Sequence, residues 1–316
     1  MDTPKTLMAA VRYFADLRIC VEYMKEIKWP DGNATCPACG GDSVHELATR
    51  PGLMKCNKRA CQKQFSLKVG TIFEDSPLGL DKWFVAVWAI ANCKNGISSW
   101  ELSRALGVTQ KTAWFMLHRI RKAMETEDFG KLDGEIEVDE TYIGNEAKNM
   151  HEDRREKTIT GRGGVDKDIV QGILQRNGKV RTFHVDDTSR LTLCGNVKRN
   201  AERGATVYTD AHASYAALGG PFLHSTVDHA VEYVRGRCHI NGIENFWSLL
   251  KRCLKGTYIH VASFHLFRYC AEQCFRFNHR HLTDGGRFRT LMSRLAGKLS
   301  YRMLTGKEGA GFMGIT

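Results

Sequence analysis

Glu135-Ile136-Glu137-Val138-Asp139-Glu140-Thr141-Tyr142-Ile143 alternates in the two-residue period of a half-buried β-strand and carries an aspartate at its centre. Two more β-like runs follow, residues 169–174 and 180–185. They are joined by Arg176-Asn177-Gly178-Lys179, whose Asn-Gly pair is a strong hairpin signal. A helical segment near residues 188–200 comes next, then the strand Thr206-Val207-Tyr208-Thr209, and over 243–278 the helical period returns. Strands and helices in this order predict a mixed domain over residues 131–280. The polar, charged stretch 145–167 within it reads as a mobile loop, and 281–316 as a basic tail.

Upstream of that strand the chain changes character. Leu7, Val11, Phe14, Leu17, Val21 and Met24 recur at three- and four-residue steps, which predicts one helix over 7–27 in an N-terminal segment 1–32. Trp29-Pro30-Asp31-Gly32 ends it with turn chemistry. Residues 33–72 are cysteine-bearing, rich in turn residues and poor in apolar ones. A second helical region starts at Pro77 and runs to about 130, interrupted at Asn95-Gly96 and at Gly107, and a glycine-bearing linker at 130–134 leads to the central strand. The whole is an α+β multidomain chain.

Composition narrows the class. The 316 residues are 42% apolar and 26% charged, which suits a folded globular chain of two or three domains. The longest nearly apolar stretch, 83–92, is about half of what a bilayer-spanning helix needs. No secretory apolar region follows the start, so the chain reads as cytoplasmic. The net charge of +11 is unevenly placed: +4 over residues 1–130, −2 over 131–230 and +9 over 231–316. Such an excess attracts polyanions, DNA among them, and equally suits a plain solubility surface.

Four of the eleven cysteines form two close pairs, Cys36-Pro37-Ala38-Cys39-Gly40-Gly41 and Cys56-Asn57-Lys58-Arg59-Ala60-Cys61. Two thiolate pairs presented on tight turns give the tetrahedral four-sulfur shell of one structural Zn²⁺. A segment this short buries too little to fold unaided, so the metal supplies the missing stability. His45 is an alternative ligand, and a redox pair an alternative chemistry. The remaining seven, including Cys270 and Cys274 one helical turn apart, read as core thiols.

Ser98-Ser99-Trp100-Glu101 is a capping box opening a short helix, Gly107-Val108 makes a turn, and Thr109 caps a second helix to about Ala123. Two helices joined by a short glycine turn are the sequence form of a helix-turn-helix. Its second helix offers Gln110, Lys111 and Trp114 near the start, for base edges, with Arg119 and Arg121 later, for phosphates. The plain alternative is a three-helix packing unit with a charged face.

Three acids stand where burial makes them costly: Asp139 mid-strand, Asp210 at the end of Val207-Tyr208-Thr209-Asp210, and Glu244 at the opening of a helix. Oxygen ligands from separate elements are what Mg²⁺ takes, and two such ions serve phosphodiester cleavage. Lys251 follows Glu244 by two helical turns on the same side and can meet a phosphate. Glu137 and Glu140 read as structural.

Asp139, Asp210, Glu244 and Lys251 together resemble the DDE-type catalytic core of insertion-sequence transposases, in particular the ISXO2-like, Merlin-type superfamily. The resemblance spans nearly the whole chain. Its carriers are Trp29-Pro30-Asp31-Gly32 and Gln64-Phe65-Ser66 around the cysteines, Val138-Asp139-Glu140-Thr141-Tyr142, Tyr208-Thr209-Asp210-Ala211, Ile243-Glu244-Asn245-Phe246-Trp247, Gly256-Thr257-Tyr258 and Arg276-Phe277-Asn278. It implies a zinc ribbon at 33–72, a helix-turn-helix at 77–130, and a ribonuclease-H-like mixed sheet with Asp139 on its first strand and Asp210 on its fourth. It further implies two Mg²⁺ or Mn²⁺ ions on Asp139, Asp210 and Glu244, action on terminal inverted repeats and target DNA, and a homodimer or larger assembly. A DNA-binding regulator without catalysis and a stand-alone metal-dependent nuclease are the competing functional readings.

Overall fold

The computed structural model describes residues 4–125, 130–144, 167–227 and 238–306, which fall into two compact units. The expected loop at 145–167 lies outside them except for Lys167. The first unit comprises residues 1–126 together with 279–316, and the second residues 127–278.

In the first unit the expected long N-terminal helix is two, α1 (Leu7–Phe14) and α2 (Leu17–Lys28). The break falls at Asp16, whose carboxylate accepts from the Arg18 N–H and so caps a new helix instead of continuing the old one. A three-stranded antiparallel ribbon follows, β1 (Val44–Glu46), β2 (Leu53–Cys56) and β3 (Gln64–Ser66). Three helices come next: α3 (Leu80–Asn92), α4 (Ser99–Leu106) and α5 (Gln110–Met124). The capping box forms as expected, with the Glu101 N–H donating to Ser98 Oγ and the Ser98 N–H to Glu101. Gly107, at φ +61°, makes the left-handed turn that ends α4.

The second unit is built on β4 (Glu135–Ile143), β5 (Asp168–Gln175), β6 (Val180–Val185), α6 (Arg190–Asn200), β7 (Thr206–Asp210), β8 (Leu223–Val227), α7 (Asn241–Cys253) and α8 (Leu266–Asn278). The five strands form one mixed sheet in the order β6-β5-β4-β7-β8, with β4–β5–β6 antiparallel and β4–β7–β8 parallel. The Asn177-Gly178 turn closes the β5–β6 hairpin, with Asn177 at φ +58°. Alternation splits the strands between two cores. Ile136, Val138 and Val207 pack with Leu193 and Val197 of α6, while Val170, Leu174 and Tyr208 pack with Ile243, Phe246 and Leu250 of α7 and with α8. The sheet is thus a central layer covered on both faces. The helical period over 243–278 is interrupted after Cys253 by a single π-turn, Leu254–Tyr258, and resumes only at Leu266.

The chain then returns to the first unit, where α9 (Asp284–Met292) and the short α10 (Tyr301–Leu304) belong. The expected basic tail is therefore in large part core. Phe288 sits in an aromatic cluster with Phe14, Tyr23, Phe84 and Trp88, and Leu291, Met292, Leu295 and Leu299 are buried. Spaced apolar residues among the arginines outweigh the charge count that suggested a tail. None of the helices among the described residues is long and apolar enough to cross a membrane.

Candidate functional site

The acids of β4 divide by face. Glu135, Glu137 and Asp139 point toward α7, and Glu140 points the other way. Glu137 is 1% exposed and fully engaged: Arg176 Nε donates to it at 2.8 Å, and its Oε2 accepts the Ile243 N–H at 2.9 Å. Helix α7 has no side-chain cap of its own, so this strand carboxylate stands at its positive end. Arg176 also donates to the His239 carbonyl and lies over the Tyr208 ring, tying the hairpin turn to the start of α7. On the opposite face Glu140 accepts from the Tyr215 hydroxyl at 2.6 Å. Both carboxylates thus have hydrogen-bond partners within the second unit.

Asp139 and Asp210 are treated differently. The parallel ladder of β4 with β7 ends at the pair Glu137–Tyr208; Asp139 and Asp210 each follow it by two residues on their strands, near enough that the Asp210 charge acts on Asp139. Asp139 accepts one hydrogen bond from Trp247 Nε1, at 2.9 Å, and Asp210 one from the His212 N–H, at 3.1 Å. Among the described residues neither has a cationic partner. Burial first, and then the neighbouring Glu140 and Asp210 charges, push the Asp139 carboxyl up from 3.8 to about 7. A pair of adjacent, half-buried acids with this charge deficit suits a divalent cation held by hard oxygens.

Trp247 reaches Asp139 because the strand partner of that aspartate is Gly172. A Cβ at Gly172 would lie 2.6 Å from the Trp247 ring and 2.7 Å from Ile243, so only glycine lets α7 approach this closely. Glu244 lies on α7 one turn before Trp247, exposed to solvent. The carboxylates of Asp139, Asp210 and Glu244 do not all come within 4.8 Å of one another. Lys251 is likewise exposed, one turn beyond Trp247, and lines a cleft of about 450 Å³ together with Tyr142, Lys167 and Lys255. The structure therefore puts Asp139 within the influence of the Asp210 charge, and places Glu244 and Lys251 on the helix whose Trp247 touches Asp139.

The ribbon cysteines converge. Sγ atoms of Cys36 and Cys61 are 3.8 Å apart, those of Cys39 and Cys56 are 3.7 Å apart, and all four lie within 4.8 Å of one another. A tetrahedral ion with Zn–S bonds of about 2.3 Å requires sulfurs about 3.8 Å apart. The longer second spacing is absorbed by a turn in which the Cys61 and Gln62 N–H groups both donate to the Lys58 carbonyl. His45, paired opposite Lys55 in the ribbon, is not in the cluster.

The helix-turn-helix residues separate into two groups. Lys111 is exposed, its ammonium 4.8 Å above the Tyr301 ring; Trp114 is half-buried against His118; Gln110 donates to Ser99 and links the two helix starts. Arg119 and Arg121, expected at phosphates, are 3% and 1% exposed. Arg119 donates to the carbonyls of Leu299 and Glu74 and lies against Phe115. These two arginines are turned inward because residues 119–121 fall on the face of α5 that carries Met116, Leu117 and Ile120, so their charges serve the fold and not a phosphate.

Residues 131–278 match the model of the ISXO2-like transposase domain, and residues 18–64 that of the transposase zinc-ribbon domain. A transposase-like protein of Haemophilus influenzae is 30% identical over 105 residues, which span 33% of this chain and 85% of that protein. The chain belongs to the ISXO2-like transposase family. A protein in transposable element ISH50 of Halobacterium salinarum is 27% identical to the transposase over 259 residues, 78% of this chain and 86% of its relative. The second unit is ribonuclease-H-like, with Asp139 on its first strand and Asp210 on its fourth, and the four cysteines form the structural zinc site of the ribbon. A solved chain of a simian T-cell lymphotropic virus intasome aligns at 11% identity over 58% of this chain and 66% of its own length, with a TM-score of 0.28, too slight a likeness to bear on the fold.

Sequence reasoning missed Trp247, Gly172 and Arg176 as site-forming residues. Trp247 carried a signal, being three residues from Glu244 and four from Lys251 on one helix face. Gly172 and Arg176 carried none, since their importance depends on which strand β4 pairs with.

Proposed function

We propose that the transposase cuts DNA at the terminal inverted repeats of its own insertion sequence and joins the freed 3′-hydroxyl to target DNA, using Asp139, Asp210 and Glu244 to hold two Mg²⁺ or Mn²⁺ ions. The observation that carries this reading is the nearness of Asp139 and Asp210, the charge of one acting on the other with no cationic partner among the described residues, while Glu137 on the same strand is held by Arg176. Divalent ions held by these three acids would polarise an attacking water and stabilise the leaving oxygen. Trp247 fixes the orientation of Asp139, and Lys251 binds a phosphate beside the acids. With their ligands divided between two ions, the three carboxylates would not all need to touch. Lys111, Trp114 and Gln110 present the helix-turn-helix, and the ribbon at 33–72 supports it, in gripping the element ends. Because two ends must be joined, the active form is a homodimer or larger assembly.

The test uses labelled candidate ends and Mg²⁺, scored for nicked and joined products. Asp139→Ala, Asp210→Ala and Glu244→Ala should each abolish cleavage while leaving DNA binding near wild type. Retained cleavage in any of them removes that residue from the site. Cleavage without joined products would mark a nuclease instead, and binding without either a regulator.

A further inference from the structure

The chain leaves α7 through an unusual bend. The Ile259 N–H donates to the Leu254 carbonyl, closing a π-turn, and the His260 N–H donates to the Tyr258 carbonyl at 2.6 Å across Ile259 itself. Ile259 stands at φ +61°, ψ −57°, the geometry of the rare γ-turn that disfavours any side chain and a β-branched one most. The turn is pinned: the Tyr258 hydroxyl donates to Glu272 of α8 at 2.6 Å. Its product is an isoleucine held 83% exposed, when burial would be the favourable fate of that side chain. Phe264 follows five residues later, also exposed.

The surroundings are cationic. Ile259 borders the 450 Å³ cleft that Lys167, Lys251 and Lys255 line; the acid in its lining, Asp168, is held by His184 at 2.9 Å and by Ser263. Lys251 lies one helical turn beyond Trp247, the residue that touches Asp139, so one helix serves both the cleft and that acid. Apolar side chains fixed beside lysines that neutralise phosphates are the means by which proteins unstack a base step and kink a duplex.

We propose that Ile259 is a wedge that enters the base stack of DNA whose backbone lies along the Lys167–Lys251–Lys255 cleft, opening the duplex a few nucleotides from the cut. This rests on the transposase reading above but concerns binding and not chemistry. The probe is a 30-base-pair duplex of arbitrary sequence, either continuous or with a central one-nucleotide gap that removes the unstacking cost, measured by fluorescence anisotropy on the full chain in EDTA. The wild type should prefer the gapped duplex by about tenfold and raise the fluorescence of a 2-aminopurine at the gap. Ile259→Ala, and separately Ile259→Gly, which is free of the γ-turn penalty, should bring that preference to about twofold or less and leave affinity for the continuous duplex unchanged. Lys255→Ala should weaken both duplexes alike. Asp139→Asn should keep the gap preference, so that failure of the catalytic reading and failure of the wedge are read separately. Equal gap preference in Ile259→Ala and wild type would overturn the proposal. So would a change in sedimentation of Ile259→Ala without DNA, which would make Ile259 a contact between copies of this chain.

Discussion

Asp139→Asn should stabilise the metal-free catalytic unit, and increasingly so as the pH rises. The Asp139 carboxyl sits at about 7 in the folded chain against an ordinary 3.8, so the folded state binds that proton more tightly than the unfolded one. The corresponding contribution to stability is complete below pH 3.8 and is lost as the pH rises through 7. Asparagine is the uncharged counterpart and escapes the loss. A shift of about three pH units at 1.36 kcal/mol each is worth about 4 kcal/mol at pH 8, and about 2 kcal/mol at pH 5. For a domain of this size the larger figure corresponds to a Tm rise of order 10 °C. Thermal unfolding followed by circular dichroism in EDTA, on wild type and variant at pH 5 and pH 8, measures it. Millimolar Mg²⁺ should then raise the Tm of the wild type at pH 8 and not that of the variant. A variant no more stable than wild type at pH 8, or with the same advantage at both pH values, would refute the inference that the Asp139–Asp210 pair carries uncompensated charge.

Other perturbations separate the parts. Cys36→Ser with Cys39→Ser should take bound zinc from about one ion per chain to none by metal analysis and unfold the ribbon. Gly172→Ala should cost about 1–3 kcal/mol by overpacking the Trp247 ring, and slow cleavage at least tenfold by displacing the hydrogen bond to Asp139; a wild-type Tm and rate would show that the helix yields freely. Lys111→Ala should weaken binding to DNA ends and lower the slope of log affinity against log salt by about one, with Tm unchanged. Arg119→Ala should do the reverse, destabilising the first unit by about 2 kcal/mol through the carbonyls it leaves unpaired while the folded fraction binds DNA as before.

What the sequence disclosed and what it hid follow from how local each signal is. The hairpin at Asn177-Gly178, the capping box at Ser98 and the cysteine pairs are each written within a few residues, and each forms as read. The two aspartates stand out because an acid at the middle or end of an apolar strand is locally anomalous, and the neighbouring parallel strands then put each within the influence of the other's charge. Arg119 and Arg121 misled because charge says nothing of direction. Their neighbours Met116, Leu117 and Ile120 set the buried face of α5, and only packing shows that the guanidinium groups go with it. The 281–316 segment misled in the same way: five apolar residues at core spacing outweighed a surplus of arginine. The break at Asp16 is hidden in the sequence by an apolar period that runs straight through it. Gly172 was beyond reach, since nothing near it in the chain announces that Trp247, 75 positions on, needs its missing side chain.

The claim on which the catalytic account depends is that Asp139 and Asp210 share a divalent ion. Titration of the full chain with Mn²⁺, followed by electron paramagnetic resonance at pH 8, measures this without DNA or turnover. Wild-type protein should deplete the free Mn²⁺ signal, with affinity falling about tenfold for each pH unit below 7, and Asp139→Asn and Asp210→Asn should each leave the signal at its protein-free level. Undiminished Mn²⁺ binding by both variants would place the metal elsewhere and contradict the account.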